Sequence, residues 1–139
     1  MKIQIINGPN LNLLGHREPE VYGVQPFERY FEELTDQFKE HDLSWFQSNH
    51  EGELIDEIHA CLHRQDGILI NAGGYTHSSI ALADALRAVR LPYVEIHLSN
   101  THAREHFRKK SYLAKNASGI IMGFGLDSYR LGVEALIQL

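Results

Sequence analysis

Two histidines four residues apart, His59 and His63, stand in a stretch of helical periodicity. That spacing presents two imidazoles on one helix face, where they could clamp a metal ion. No glutamate follows His59 and no third ligand stands at a matching distance, so the pair reads as two helix-surface residues. Lys2, Lys39, Lys109, Lys110 and Lys115 all have polar neighbours, which leaves no cause for the lowered amine pKa that imine chemistry needs. Gly73-Gly74 lacks the spacing of a dinucleotide or phosphate loop, and Gly123 and Gly125 look like a turn. Taken singly, Asn7-Gly8-Pro9-Asn10 is a turn signal, Tyr22 a loop aromatic and His97 a satisfied buried histidine. His102 and His106 read as surface residues, and the run from Arg104 through Arg108, Lys109 and Lys110 as a solvated charged face. Together, however, the polar residues fall into three clusters: Asn7 to Gly23, Asn71 to His77, and Glu95 to Asn100 with Arg104 and Arg108 behind it.

Each cluster follows a short apolar segment that reads as a strand. Ile3 to Ile6 precede the first cluster, Gly67-Ile68-Leu69-Ile70 the second, and Tyr93 to Leu98 contain the third. Leu43 to Phe46 and Gly119 to Met122 supply two further strands. Helices alternate with them. Phe27, Tyr30, Phe31, Leu34 and Phe38 recur at helical spacing with Pro26 at the first helical position. Leu54, Ile55, Ile58 and Leu62 form a stripe capped by Ser48 or Asn49. Ile80, Leu82, Ala83, Leu86 and Val89 form another, stopped by Pro92, and Tyr129 to Ile137 make the closing helix. This alternation predicts an α/β fold, a flavodoxin-like three-layer sandwich with a five-stranded parallel sheet, and such sheets bind ligands beyond the carboxyl ends of their strands. Gly8 to Val24 is the one long stretch without periodicity, and its polar content points to a lid over the site at about residues 15–25.

A chain of 139 residues fits one domain and one site. A net charge of −5 excludes a general nucleic-acid binder, since phosphate neutralisation needs a basic surface. Cys61 is the only cysteine, so no internal disulfide or thiolate cage forms, and a reducing compartment, by default the cytoplasm, is expected. The apolar run Ile3 to Ile6 is too short for a signal peptide or a membrane span.

The segment Asn7-Gly8-Pro9-Asn10-Leu11-Asn12-Leu13-Leu14-Gly15-His16-Arg17-Glu18-Pro19-Glu20-Val21-Tyr22-Gly23 resembles the N-terminal signature of the type II 3-dehydroquinate dehydratases (type II dehydroquinases). Ile70 to His77 and Val94 to Asn100, with Arg104 and Arg108 behind, resemble that family's other two site segments, so the likeness spans nearly the whole chain. One departure is Ala72, where the family usually has proline; weaker preorganisation of that loop is expected.

The resemblance implies a lyase that removes water from 3-dehydroquinate by anti elimination through an enolate, with no imine, metal or cofactor. It assigns four residues to the chemistry. Tyr22 is the base; a free phenol with pKa about 10 is ionised roughly once in a thousand at pH 7, a deficit of about 4 kcal/mol. Arg17, on the same loop and permanently charged, favours the phenolate. Asn10 stabilises the enolate, and His97 is the acid for the leaving hydroxyl, with Glu95 placed to orient it. For substrate binding the resemblance carries over Asn71, His77, Asp84, the Leu98 and Ser99 backbone, and Arg108. It also implies a homo-oligomer of trimer units, a dodecamer, whose subunit contact gives Asp84 to a neighbouring site. The step belongs to the shikimate pathway of aromatic amino-acid biosynthesis, although quinate catabolism would use the same chemistry. The rival class is a flavodoxin-like flavin- or nucleotide-binding module, which predicts a coloured or nucleotide-loaded protein. An inactive scaffold would require damage at Tyr22, Arg17, Asn10 or His97, and all four residues are present.

Overall fold

Strands form where the apolar runs predict them, and their register brings the three polar clusters to one edge. The computed structural model describes residues 1–16, 20 and 25–139. Arg17, Tyr22 and most of the expected lid lie outside the described residues. Strands β1 (Lys2–Asn7), β2 (Asp42–Gln47), β3 (Gly67–Asn71), β4 (Tyr93–His97) and β5 (Gly119–Met122) build a parallel sheet of order β2-β1-β3-β4-β5. The helices are α1 (Phe27–Gln37), α2 (Glu51–Ala60), α3 (Ile80–Val89) and α4 (Asp127–Ile137). This is the flavodoxin-like α/β order, and the winding reverses between β1 and β3, which opens a crevice beyond their carboxyl ends.

Alternation along the strands divides the core into two layers. Ile3, Ile5, Leu69, Val94 and Ile96 pack with Phe27, Leu34, Tyr129, Val133 and Leu136 of α1 and α4. Ile6, Ile68, Ile70 and Tyr93 pack with Leu54, Ile58, Leu82 and Leu86 of α2 and α3. Each fully buried aliphatic side chain contributes about 1.5–3 kcal/mol. Leu11 and Leu14, in the stretch without periodicity, are buried in the first layer, so the loop after β1 is docked onto the core at its start.

Several local expectations are corrected. Pro26 precedes α1 as its cap with ψ 148°, and Phe38 lies just past the last turn. His50, rather than Ser48 or Asn49, occupies the cap position of α2; Ser48 Oγ instead accepts from His50 N–H at 3.0 Å, and Asn49 serves the site. The helix ends at Ala60, and His63 has φ 64°, so His59 and His63 do not share a helix face. Arg90 in the left-handed region closes α3 before Pro92 is reached. Leu62 and Ile80, expected in apolar stripes, are 43% and 59% exposed. Leu98 lies one residue beyond β4, and α4 starts two residues earlier than its apolar pattern.

Candidate active site

The cleft lies at the switch point and is bounded by the loops after β1, β3 and β4. Pro9, Asn10, Asn71, Gly73, His77, His97, Leu98, Ser99, Arg104 and Arg108 line it. Register sets Asn7 opposite Asn71, so the first two loops leave the sheet side by side. They approach so closely that side chains are excluded. Gly8 N–H donates to the Asn71 carbonyl at 2.7 Å, and a Cβ on Gly8 would sit 2.4 Å from the Ala72 carbonyl oxygen. Gly73, with φ 58°, faces the Pro9 carbonyl in return. Asn10 takes the left-handed region at φ 70°, which asparagine tolerates, and its N–H is held by Asn49 Oδ1 at 3.0 Å. The exposed Asn10 amide is thereby presented at the cleft. Ala72 has φ −76°, a value proline would also adopt.

On β4 the period of two places Tyr93, Glu95 and His97 on the same face, and the strand end delivers His97 to the cleft. Glu95 is 1% exposed, and its Oε1 lies 2.6 Å from His97 Nε2. Burying the Glu95 carboxyl alone would be costly, and the His97 ring gives it a hydrogen-bond partner. Nδ1 of His97 has no hydrogen-bond partner among the described residues. Directly after His97, the His97 and Leu98 carbonyls accept from Gly123 and Gly125 N–H at 3.2 and 2.9 Å. The Leu98 and Ser99 N–H groups have no backbone acceptor among the described residues, which suits them to an anion.

His77 stacks on His97 at 6.2 Å with an interplanar angle of 19°. Its Nδ1 lies 2.6 Å from the Lys110 carbonyl, which can only accept, so the proton of the neutral ring is on Nδ1 and Nε2 is an acceptor. Burial holds the His77 pKa below the ordinary value; the Lys110 carbonyl and Glu95 oppose this, while His97 and Arg108 reinforce it. The unfolded chain therefore takes up this proton first as pH falls, and stability is lost from about pH 6.5 downward. His77→Gln is expected to shrink the fall in urea midpoint between pH 7.5 and pH 5.5; an unchanged fall counts against the assignment.

Arg108 Nε lies 2.5 Å from Glu105 Oε2, and its guanidinium sits 5.0 Å from the Phe107 ring centroid. Arg104 also reaches the cleft, with Nη1 3.5 Å from Ser99 Oγ. Two arginines at one mouth make it locally positive on a chain of net charge −5. The arrangement can hold an anionic, hydroxylated molecule and deliver a proton from His97.

The class II dehydroquinase family model matches residues 1–137. The chain belongs to that family. It is 55% identical to a 3-dehydroquinate dehydratase of Synechococcus sp. (strain CC9902), over 99% of this chain and 96% of that protein. The type II dehydroquinase from Butyrivibrio crossotus superposes with TM-score 0.95 at 41% identity, covering 99% of this chain and 97% of that one. That from Propionibacterium acnes gives 0.94 at 34% identity, with the same coverage.

Of the dehydroquinase positions read from sequence, Asn10, Asn71, His77, His97, Leu98, Ser99 and Arg108 come together in the cleft. Asp84 does not line it; Asp84 lies on the exposed face of α3, bonded to Arg87 at 2.8 Å. Arg104, read both as part of a solvated run and as standing close behind the third resembling segment, does line it, unlike the exposed Lys109 and Lys110. Among the described residues no group of three histidine, cysteine or acidic side chains could hold a metal ion. Cys61 is buried, and burial pushes its thiol up to about 12, far from thiolate chemistry.

The dehydroquinase cleft also rests on a buried strut that sequence reading missed. Tyr129 of α4 donates its hydroxyl proton to Asn7 Oδ1 at 2.7 Å and accepts from Asn71 Nδ2 at 3.0 Å. Gly73 N–H, donating to Asn71 Oδ1 at 3.3 Å, sets the sense of that amide. No local signal marks these partners, because they lie 122 and 58 positions apart. Tyr129→Phe strands two buried amide groups and is expected to cost about 2–3 kcal/mol. A urea midpoint equal to wild type would remove the strut.

Proposed function

We infer that this chain dehydrates 3-dehydroquinate to 3-dehydroshikimate in the shikimate pathway, by anti elimination through an enolate. The observation that carries the mechanism is the gathering of the buried Glu95–His97 pair, the Asn10 and Asn71 amides and Arg108 around one cleft at the switch point. Arg108 and the Leu98 and Ser99 N–H groups receive the carboxylate, and His77 Nε2 and Asn71 hold ring hydroxyls. Tyr22, kept as phenolate by the Arg17 guanidinium, takes the proton beside the ketone. The Asn10 amide stabilises charge that exists only after that transfer. His97, with Glu95 as counter-charge, then gives the Nδ1 proton to the departing hydroxyl, which leaves as water.

The whole chain acts as one dehydroquinase domain, with residues of about 15–25 closing over bound substrate. It works in the cytoplasm as trimers assembled into a dodecamer. The exposed Ile80 and Asp84, one turn apart on α3, support a subunit contact on that face, with Asp84 entering the neighbouring site. The biosynthetic setting is preferred over quinate catabolism as the commoner assignment in the family, and neighbouring genes decide it.

The test is incubation of purified, chelator-treated protein with 3-dehydroquinate while following the ultraviolet band of the conjugated enone. Its growth is expected, and its absence at high enzyme concentration defeats the reading. Borohydride added with substrate is expected to leave activity intact, since no imine forms; a lysine adduct would contradict this.

A further inference from the structure

The Ser111 hydroxyl is fully committed. It accepts from Leu113 N–H and Ala114 N–H, both at 3.1 Å, and lies 2.9 Å from Glu95 Oε2. A hydroxyl has two lone pairs and one proton. With both lone pairs taken, the proton can only be directed to Glu95. Oε2 is therefore an acceptor, because a proton there would face an oxygen with nothing left to receive it. The proton shared by the buried pair is confined to the 2.6 Å contact between Glu95 Oε1 and His97 Nε2.

We infer that Ser111 is a positioning residue of the dehydratase, its hydroxyl donating to Glu95 so that His97 keeps Nε2 on the glutamate and offers Nδ1 to the substrate. This rests on the reading of His97 as the acid. Ser111 is itself held in place. Tyr93 on β4 donates its hydroxyl to the Leu113 carbonyl at 2.5 Å, and Tyr112 N–H donates to the Thr76 carbonyl at 3.0 Å. Its neighbour completes the arrangement: the Lys110 carbonyl takes His77 Nδ1 at 2.6 Å. Two consecutive residues thus set the proton positions on both stacked imidazoles, one through a backbone carbonyl and one through a carboxylate. Both follow the segment that carries Arg104 and Arg108, so the grip on the substrate and the alignment of the acid share one piece of chain.

The experiment compares Ser111→Ala, Ser111→Cys and Ser111→Thr in the intact chain. Threonine keeps a hydroxyl that donates to Glu95, cysteine leaves only a weak S–H donor there, and alanine leaves none. Alanine and cysteine are expected to lower kcat about tenfold or more with KM within about twofold, and threonine to restore most of it. Nitrogen NMR of the His97 ring, without substrate, is expected to show a protonated Nε2 held in place in wild type and Ser111→Thr, and a changed ring signal in the other two. Wild-type kcat in Ser111→Ala or Ser111→Cys, or an unchanged His97 ring signal in both, overturns the inference. Should Ser111→Ala fail to fold, the cysteine and threonine variants still decide it. His97→Asn separates the two readings. Full turnover in that variant removes His97 as the acid, while the ring signals still report whether Ser111 holds Glu95.

Discussion

Tyr22→Phe is expected to lower kcat by about a thousandfold or more while substrate still binds, because general-base catalysis is worth about 10²–10⁴-fold and phenylalanine offers no oxygen. Arg17→Met is expected to act through the same atom. Without the guanidinium the phenol returns toward its ordinary pKa near 10, and the roughly 4 kcal/mol needed to ionise it at pH 7 comes back into the barrier. A consequence separates the two variants: raising the pH should recover part of the Arg17→Met rate and none of the Tyr22→Phe rate. Neither should unfold the protein, since both residues stand in a stretch without apolar periodicity. The measurement is initial enone absorbance across pH 6–10 with urea midpoints alongside. Near wild-type turnover in either variant would sink the phenolate mechanism.

The second large effect comes from a position with no chemistry of its own. Gly8→Ala places a Cβ 2.4 Å from the Ala72 carbonyl oxygen, and both contact partners are backbone at the ends of central strands. No rotamer change relieves that contact, so the loops after β1 and β3 must separate. The expected loss is about 3 kcal/mol, at the upper end for overpacking. Separation also breaks the Gly8 to Asn71 hydrogen bond and moves Asn10 relative to Asn71. A displacement near 1 Å at a reacting group costs about a hundredfold in rate, so kcat/KM should fall further than stability alone predicts. Urea denaturation and the enone assay on the folded fraction check both parts; a variant with wild-type midpoint and rate would show that the two loops are not interlocked.

Local apolar pattern made the five strands, four helices and their alternation legible. The resemblance across Asn7 to Gly23, Asn71 to His77 and Glu95 to Asn100 made the family and most cleft residues legible too. Helix ends were less so. The cap of α2 went to His50 because Asn49 Oδ1 is occupied by Asn10 N–H and Gln47 Nε2, contacts 39 and two positions away. Leu62 and Ile80 fit apolar stripes by spacing yet are exposed on the single chain, since periodicity names a face without saying where packing within the chain stops.

By itself the chain's order of residues determined which side chains are available for chemistry and which strand end carries each. Those properties are local, set by side-chain type and a period of two or 3.6. Only the tertiary structure decided how they meet: Gly8 beneath Ala72, Tyr129 between Asn7 and Asn71, and Ser111 on Glu95. These contacts join residues far apart in the chain, and each works through a single proton, lone pair or missing Cβ. Such geometry leaves no periodic trace in sequence, because it exists only once parallel strands have fixed their register and brought their carboxyl ends level.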